Sequence, residues 1–253
     1  LNILRRTNMS FYKILSKYYD EVFKLQQATV HFLIEELNEK DVVLDMACST
    51  FSYGLELTKK GIEVLGIDLN NHMIEEAEQK SKKYNVELFN EDIRNINVIF
   101  KDLRFKEIFC IGNSLVHLPF KSEIEDVIKK SYKILQNGGV FIVSIINYDR
   151  IIEKNIKEFP EVISEDGKIV LKRSYEYIEN FEYINFNREL IIKDRENSVT
   201  YNKSVKLLPI LKDELVKMFK NIGFSNIEIF GDFKKSEWSK KSYNTVIKAW
   251  KQN

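Results

Sequence analysis

The sequence predicts an α/β fold: a doubly wound, mostly parallel sheet with an N-terminal helical cap and an antiparallel β insertion. Three observations carry that expectation. Short apolar runs alternate with stretches of helical period from residue 42 onward, several of the runs end on an acid, and a later stretch of about forty residues switches to β-branched and aromatic runs separated by turn residues. The chain has 253 residues, of which 44% are hydrophobic and 30% charged, the make-up of an ordinary globular protein with one substantial core. The expected organisation is a single domain over residues 1–253, with a cap at 9–40, a core at 41–147 and 207–253, and the insertion at 148–206.

Phe11 to Leu37 reads as helix, because Ile14, Leu15, Tyr18, Val22, Phe23, Val30, Leu33, Ile34 and Leu37 form an apolar stripe. Val42-Val43-Leu44 and Val64-Leu65-Gly66-Ile67 are short apolar runs ending at Asp45 and Asp68, with a helical stretch from Tyr53 to Lys60 closed by Gly61. Strand, helix and strand within thirty residues form a βαβ unit, which crosses over right-handed into parallel pairing. The alternation continues with a helix from His72 to Tyr84, strands at Val86–Phe89 and Phe105–Ile111, a helix from Ser122 to Leu135, and a strand at Val140–Ile146 after the Asn137-Gly138-Gly139 turn. The insertion then offers strands at 169–177, 183–192 and 198–208, with turns at Asn180 and at 194–197. A helix at Lys212–Ile222 and a closing antiparallel pair, Ile227–Phe230 with Thr245–Trp250, complete the chain.

The formal net charge is +1, which gives no electrostatic reason to expect nucleic acid or an anionic membrane as partner. No segment has the roughly 18 apolar residues of a membrane helix, and Leu1 to Ser10 carries Arg5 and Arg6 without a signal-like apolar stretch. Two cysteines, Cys48 and Cys110, make neither a disulfide framework nor a metal site, so a cytoplasmic protein without a metal is expected.

In such a sheet ligands bind at the carboxyl ends of the strands. Asp68 closes the second strand about twenty residues after the first strand's loop, the place from which an acid accepts hydrogen bonds from ribose hydroxyls in nucleoside-binding folds. The loop itself, Asp45-Met46-Ala47-Cys48-Ser49-Thr50-Phe51, resembles the first motif of the class I S-adenosylmethionine-dependent methyltransferases, Asp-x-Ala/Gly-Cys-Gly-x-Gly. Glycines there let the backbone approach the ligand; Ser49 and Phe51 depart from the pattern. A non-glycine residue at positive φ costs about 1–2 kcal/mol. The Ser49 hydroxyl is expected to face the methionyl carboxylate, and the Phe51 ring to turn toward the first helix or lie beside the methionyl chain.

Cys110-Ile111-Gly112-Asn113-Ser114-Leu115-Val116-His117-Leu118 resembles the segment after the fourth strand in the glycine and glycine/sarcosine N-methyltransferases, Cys-Leu-Gly-Asn-Ser-Phe-x-His-Leu. Asn147-Tyr148-Asp149 and Gly231-Asp232-Phe233-Lys234 match the same group in order. The resemblance implies a Rossmann-like methyltransferase fold and methyl transfer from S-adenosylmethionine to an amine of a small molecule, leaving S-adenosylhomocysteine. By the same resemblance Tyr19, Asp45, Ala47, Cys48, Ser49, Asp68, Leu69, Met73, Asp92, Ile93, Ile111, Gly112 and His117 would form the cofactor site, with Met73 against the adenine and Asp92 and the Ile93 N–H at its edge. Asn113 and Tyr148 would face the acceptor. No obligate catalytic residue is required, and Asn113, His117 and Tyr148 are the candidates for positioning. The arginine that holds the substrate carboxylate in that group falls at Ser204, so glycine is not the expected acceptor, and Arg188 or Lys203 from a neighbouring strand is the expected substitute. The residues leave two other readings open: a methyltransferase-like binding protein, and an enzyme modifying RNA or protein.

Overall fold

A computed structural model describes residues 11–178, 181–194 and 197–252. Arg5 and Arg6, and the turn residues Asn180, Arg195 and Glu196, lie outside the described residues.

Five parallel strands, β1 (Val42–Met46), β2 (Glu63–Asp68), β3 (Glu87–Asn90), β4 (Phe105–Cys110) and β5 (Leu135–Ile146), form most of a seven-stranded sheet. Two later strands, β10 (Phe224–Phe230) and β11 (Asn244–Lys251), complete it in the order β10-β11-β5-β4-β1-β2-β3, with β11 antiparallel to β5. The order reverses direction at β1, whose sequence neighbour β2 lies on one side and β4 on the other. That switch point opens a crevice at the carboxyl edge.

Helices cover both faces, as the near-continuous apolar runs of buried parallel strands require. On one side, α6 (Lys121–Ile134) and α8 (Lys212–Ile222) contribute Ile124, Val127, Leu215 and Phe219 to a core with Leu44, Ile108, Phe141 and Ile247. On the other, α2 (Gln27–Ile34), α3 (Ser52–Thr58) and α4 (Asn71–Ser81) contribute Val30, Leu33, Leu55 and Ala77 to a core with Val43, Val64, Phe109 and Ile142. Asn70 caps α4 by accepting from the N–H groups of His72 (3.0 Å) and Met73 (3.4 Å).

The expected helix over 11–37 is two helices, α1 (Phe11–Val22) and α2, with a break between them. Its stripe serves two surfaces. Phe11, Ile14 and Leu15 of α1 pack with Ile169, Leu171 and Leu190 of the inserted strands, whereas Val30, Phe32 and Leu33 of α2 pack on the core sheet, and one straight helix cannot reach both. Two further short helices, α5 (Ile96–Ile99) and α7 (Tyr148–Glu153), were not expected.

The insertion is a four-stranded antiparallel sheet, β6 (Val162–Ile163), β7 (Ile169–Ile178), β8 (Tyr183–Asp194) and β9 (Asn197–Leu207), in sequential order. One face, with Leu171, Tyr175, Ile184, Leu190 and Leu207, is buried. Lys172, Glu176 and Asn202 on the other are exposed, the alternation of a half-buried antiparallel sheet.

Candidate functional site

At the carboxyl edge the backbone between β1 and α3 takes left-handed φ at Ala47 (62°), Ser49 (50°) and Phe51 (60°). Glycine-like geometry is therefore kept without glycine, at a cost of about 1–2 kcal/mol per residue. The Phe51 ring turns away from the ligand edge, into the same core cluster as Val30 and Leu33 of the stretch expected as the first helix. It is completely buried among Val43, Leu55 and Val64. It occupies the space that side chains at Gly54 and Gly66 would need: a Cβ on Gly54 would lie 2.1 Å from its Cε2, and one on Gly66 2.9 Å from its Cδ2. Glycines in α3 and β2 thus admit the ring that replaces a glycine in the loop.

The loop is fixed onto Asp68. Its Oδ2 accepts from the Ser49 N–H (2.9 Å) and its Oδ1 from the Asn70 N–H (2.8 Å). Burial raises the Asp68 pKa against these two bonds. Each oxygen keeps lone pairs beyond the single backbone bond it accepts. Ser49 Oγ donates to Tyr19 Oη at 3.1 Å, so in this structure its partner is a phenol of α1. Burial pushes the Tyr19 pKa up to about 12, and the phenol is neutral.

Next to Tyr19, Asp20 escaped sequence reasoning. Its carboxylate accepts from Thr50 Oγ1 and Ser52 Oγ, both at 2.6 Å, and from Lys80 Nζ at 2.6 Å. Burial works upward on its pKa, but these three donors outweigh it and hold the carboxyl below its ordinary value. Helix α1 is thereby tied to the loop at two adjacent residues. The only signal for this in the sequence was the Tyr19-Asp20 pair itself.

Asp45 sits behind the loop, 4% exposed. Burial raises its pKa well above the usual carboxylate value, opposed by a bond from the Gly54 N–H. Cys48 is also buried, and burial pushes its thiol up. Leu69 is 70% exposed, whereas Met73 is buried beneath α1 with Phe11 and Ile14. Asp92 is already engaged: it caps the turn Ile93–Asn95 through the Arg94 N–H (2.8 Å) and pairs with the Arg94 guanidinium at 2.7 Å, which holds its pKa down. Ile93 is partly buried against the core.

After β4, Ile111 is partly buried and Gly112 and Asn113 have φ of 79° and 74°. A Cβ at Gly112 would meet nothing within 4 Å, so the glycine serves backbone conformation over open space. Asn113 is held on three sides: its N–H donates to Ser144 O (3.1 Å), its Oδ1 accepts from the Ile146 N–H (3.0 Å), and its Nδ2 donates to Tyr148 Oη (3.0 Å). Tyr148 is completely buried, and burial raises its pKa to about 12. A side chain without accessible surface does not itself line an open site, so Tyr148 supports Asn113 from beneath. His117 keeps exposed surface; desolvation, helped by the Arg188 charge, lowers its pKa to about 4. Its imidazole is neutral at physiological pH.

The inserted sheet meets this edge through α1 and the turn Leu115–His117: Leu208 N donates to Val116 O at 2.8 Å, and Arg188 Nη2 to Tyr12 Oη at 2.9 Å. The Arg188 guanidinium lies 5.0–5.1 Å from the ring centres of Phe11, Tyr12 and Phe186. Lys203, opposite Arg188 on β9, is exposed. Arg173 and Tyr175, which sequence reasoning did not single out, share this face; the period-two alternation of β7 could have placed them there. Two clefts border these residues: one of about 640 Å³ over the inserted strands, with Arg173, Arg188 and Lys203 as well as Glu158, Glu161 and Glu189 in its lining, and one of about 940 Å³ between α1, α3 and α4, with Asp20, Ser52 and Lys80 in its lining. Among the described residues there is no cluster of three or more metal-ligating side chains and no helix long and apolar enough to cross a membrane.

Residues 43–139 match the family described as a methyltransferase domain. A carboxy-S-adenosyl-L-methionine synthase of Nautilia profundicola is 28% identical over 84% of this chain and 80% of its own. A glycine/sarcosine N-methyltransferase of Aphanothece halophytica is 24% identical over 81% of this chain and 75% of its own. Among solved structures, an S-adenosylmethionine-dependent methyltransferase from Clostridium acetobutylicum superposes with a TM-score of 0.80 at 18% identity, covering 96% of this chain and all of that one.

Proposed function

We propose that this chain, which is a class I S-adenosylmethionine-dependent methyltransferase, methylates the amine nitrogen of a small molecule. The observation that carries the reading is the pairing of two pre-set elements along one sheet edge. Asp68 is anchored by the Ser49 and Asn70 N–H groups, and Asn113 is anchored by Ile146 and Tyr148 two strands away.

The residues present fit the cofactor. Asp68 has lone pairs to spare for ribose hydroxyls, Leu69 is an exposed apolar side chain for the adenine face, and the Ala47–Phe51 backbone has the left-handed geometry that motif glycines normally supply, with the Phe51 ring clear of the edge. Asp45 and Cys48 support the loop from behind, Met73 the adenine side, and Asp92 with Ile93 its far edge. When bound, S-adenosylmethionine supplies a sulfonium methyl already activated for transfer, leaving S-adenosylhomocysteine.

The protein then has to orient a neutral amine in line with that methyl and exclude water, which is catalysis by positioning. Asn113 offers polar atoms locked by the Ile146 N–H on one side and the Tyr148 hydroxyl on the other. Tyr148 fixes Asn113 rather than touching the acceptor. Neutral Tyr19, Tyr148 and His117 put no titrating anion beside the nitrogen, so the amine loses its proton to solvent before it attacks. Arg188 and Lys203 stand opposite each other on the inserted sheet and α1 is tied over the loop through Tyr19 and Asp20, which favours a small-molecule acceptor over a macromolecular one.

The test is methyl transfer to a panel of small amines at several pH values. The expected result is turnover of an amine other than glycine, rising with pH as the amine deprotonates; glycine as the best acceptor by a wide margin would overturn the acceptor assignment. The likeness to a carboxy-S-adenosyl-L-methionine synthase and the unpaired Arg188 favour a second outcome, in which the cofactor itself is modified. Mass spectrometry of the recovered cofactor separates the two.

A further inference from the structure

Among the described residues, five buried side-chain atoms have no hydrogen-bond partner: both carboxyl oxygens of Glu107, Arg173 Nε, Arg188 Nε and Tyr175 Oη. The last three are donors, and they lie together. Arg173 is directly opposite Arg188, Arg188 is directly opposite Lys203, and Tyr175 is two residues from Arg173 along β7. Directly opposed residues share a face with Cβ atoms about 5 Å apart, and this face packs toward α1 and the turn that carries His117, through Arg188 Nη2 on Tyr12 Oη and Leu208 N on Val116 O. Buried polar groups almost always find partners. Orphaned donors on one patch of sheet need a common explanation.

These cations are held by rings and not by acids. Arg188 lies among Phe11, Tyr12 and Phe186, and Arg173 lies 5.7 Å from the Phe159 ring centre while donating to Pro160 O at 3.2 Å. The acids of these strands are on the opposite face, where Glu161 and Glu189 pair with Lys172 at 3.7 and 3.5 Å. Tyr175 is 3% exposed and its hydroxyl is turned to the Tyr148 hydroxyl, so it is the two arginines that keep donors without a partner. Two guanidinium groups and a lysine set side by side repel one another unless something negative lies between them. A guanidinium offers a planar fork that fits carboxylate or phosphate. A single carboxylate would leave the row with excess positive charge.

We propose that Arg173 and Arg188, with Lys203 at the rim, form a subsite for a doubly charged anionic group, a phosphoryl group or a pair of carboxylates, carried by the acceptor. That the anion belongs to the methyl acceptor rests on the function proposed above; the subsite itself does not.

The experiment is calorimetric titration of the intact chain, without cofactor, at pH 8 with inorganic phosphate, malonate and acetate. At least one dianion binds about tenfold or more tightly than acetate, a factor worth about 1.4 kcal/mol, and Arg173→Gln removes that preference while Arg188→Lys retains part of it. Phosphate as the tighter ligand identifies a phosphoryl acceptor, malonate a dicarboxylate. Dianions that bind no better than acetate, or a preference that survives in Arg173→Gln, overturn the proposal. Should Arg173→Gln fail to fold, Arg188→Gln makes the same comparison, and an unchanged preference there overturns the proposal equally. No methyl transfer is measured, so a failed titration leaves the amine reading standing, and a failed amine panel leaves the subsite standing.

Discussion

At the carboxyl edge of the seven-stranded sheet, Asp68 receives two backbone N–H groups and Asn113 is bonded on three sides, whereas across the site the four-stranded sheet leaves Arg173 and Arg188 with unused donors. The difference follows from what each sheet is built to meet. Strands buried on both faces can place polar groups only at their ends, where loop and helix N–H groups are at hand to pair with them. A half-buried antiparallel sheet presents whole side chains to the site, and their partners must come from whatever occupies it. On the function proposed above, the cofactor side is finished in the protein alone and the acceptor side is completed by its ligand.

The largest expected effect tests whether the core sheet is as tightly filled as this contrast requires. Phe51→Ala keeps a residue at positive φ but removes a ring packed against Gly54 and Gly66, so unfolding in denaturant should show a loss of about 3–5 kcal/mol. A loss below about 1 kcal/mol would mean that the loop, not the ring, sets the packing.

Asp68→Ala comes next. With the fold intact, it should weaken S-adenosylmethionine binding by about 2–3 kcal/mol in calorimetry, the loss of charge-assisted hydrogen bonds. Unchanged affinity would remove Asp68 from the site and with it the pre-built half of the comparison.

Glu107 is the exception inside the core sheet: completely buried on β4, with both oxygens unpaired and its pKa raised well above 4.5 by burial. A carboxyl whose folded pKa is raised keeps its contribution below the unfolded value and loses it as pH climbs toward the folded one. Glu107→Gln should therefore match the native protein in stability near pH 4 and exceed it at pH 8 by about 1–2 kcal/mol. Equal stability at both pH values would show that Glu107 has a partner.

The smallest effect is at His117. With its pKa lowered to about 4 by desolvation, its ring should titrate by NMR near that value, and the rate should show no break near pH 6.5 that His117→Gln removes. Because the folded pKa is depressed, the associated stability is present above about 6.5 and fades as pH falls through about 4. A midpoint near 6.5 would mean that the inserted sheet does not shield the ring.

Much of the fold was legible because local burial leaves a periodic trace. The strand runs ending at Asp45 and Asp68, the Lys212–Ile222 helix and the three long inserted strands all stand close to where the periodicity puts them. The break between α1 and α2 was not legible, since a stripe records that a face is buried and not that its two halves are buried against different sheets. The Asp92–Arg94 pair was readable as neighbours, yet nothing local says that the carboxylate is spent on a cap.

The sequence by itself determined the alternation of strand and helix, the loop that replaces glycines with Ser49 and Phe51, and the placing of acids at strand ends, all of which depend on residues near in the chain. Only the tertiary structure decided that the Phe51 ring enters the core and that Arg173 and Arg188 stand opposite each other on the inserted sheet. Those depend on the absence of side chains at Gly54 and Gly66 and on the register between β7 and β8. A register shifted by one residue would turn the same arginine to solvent with its local sequence unchanged.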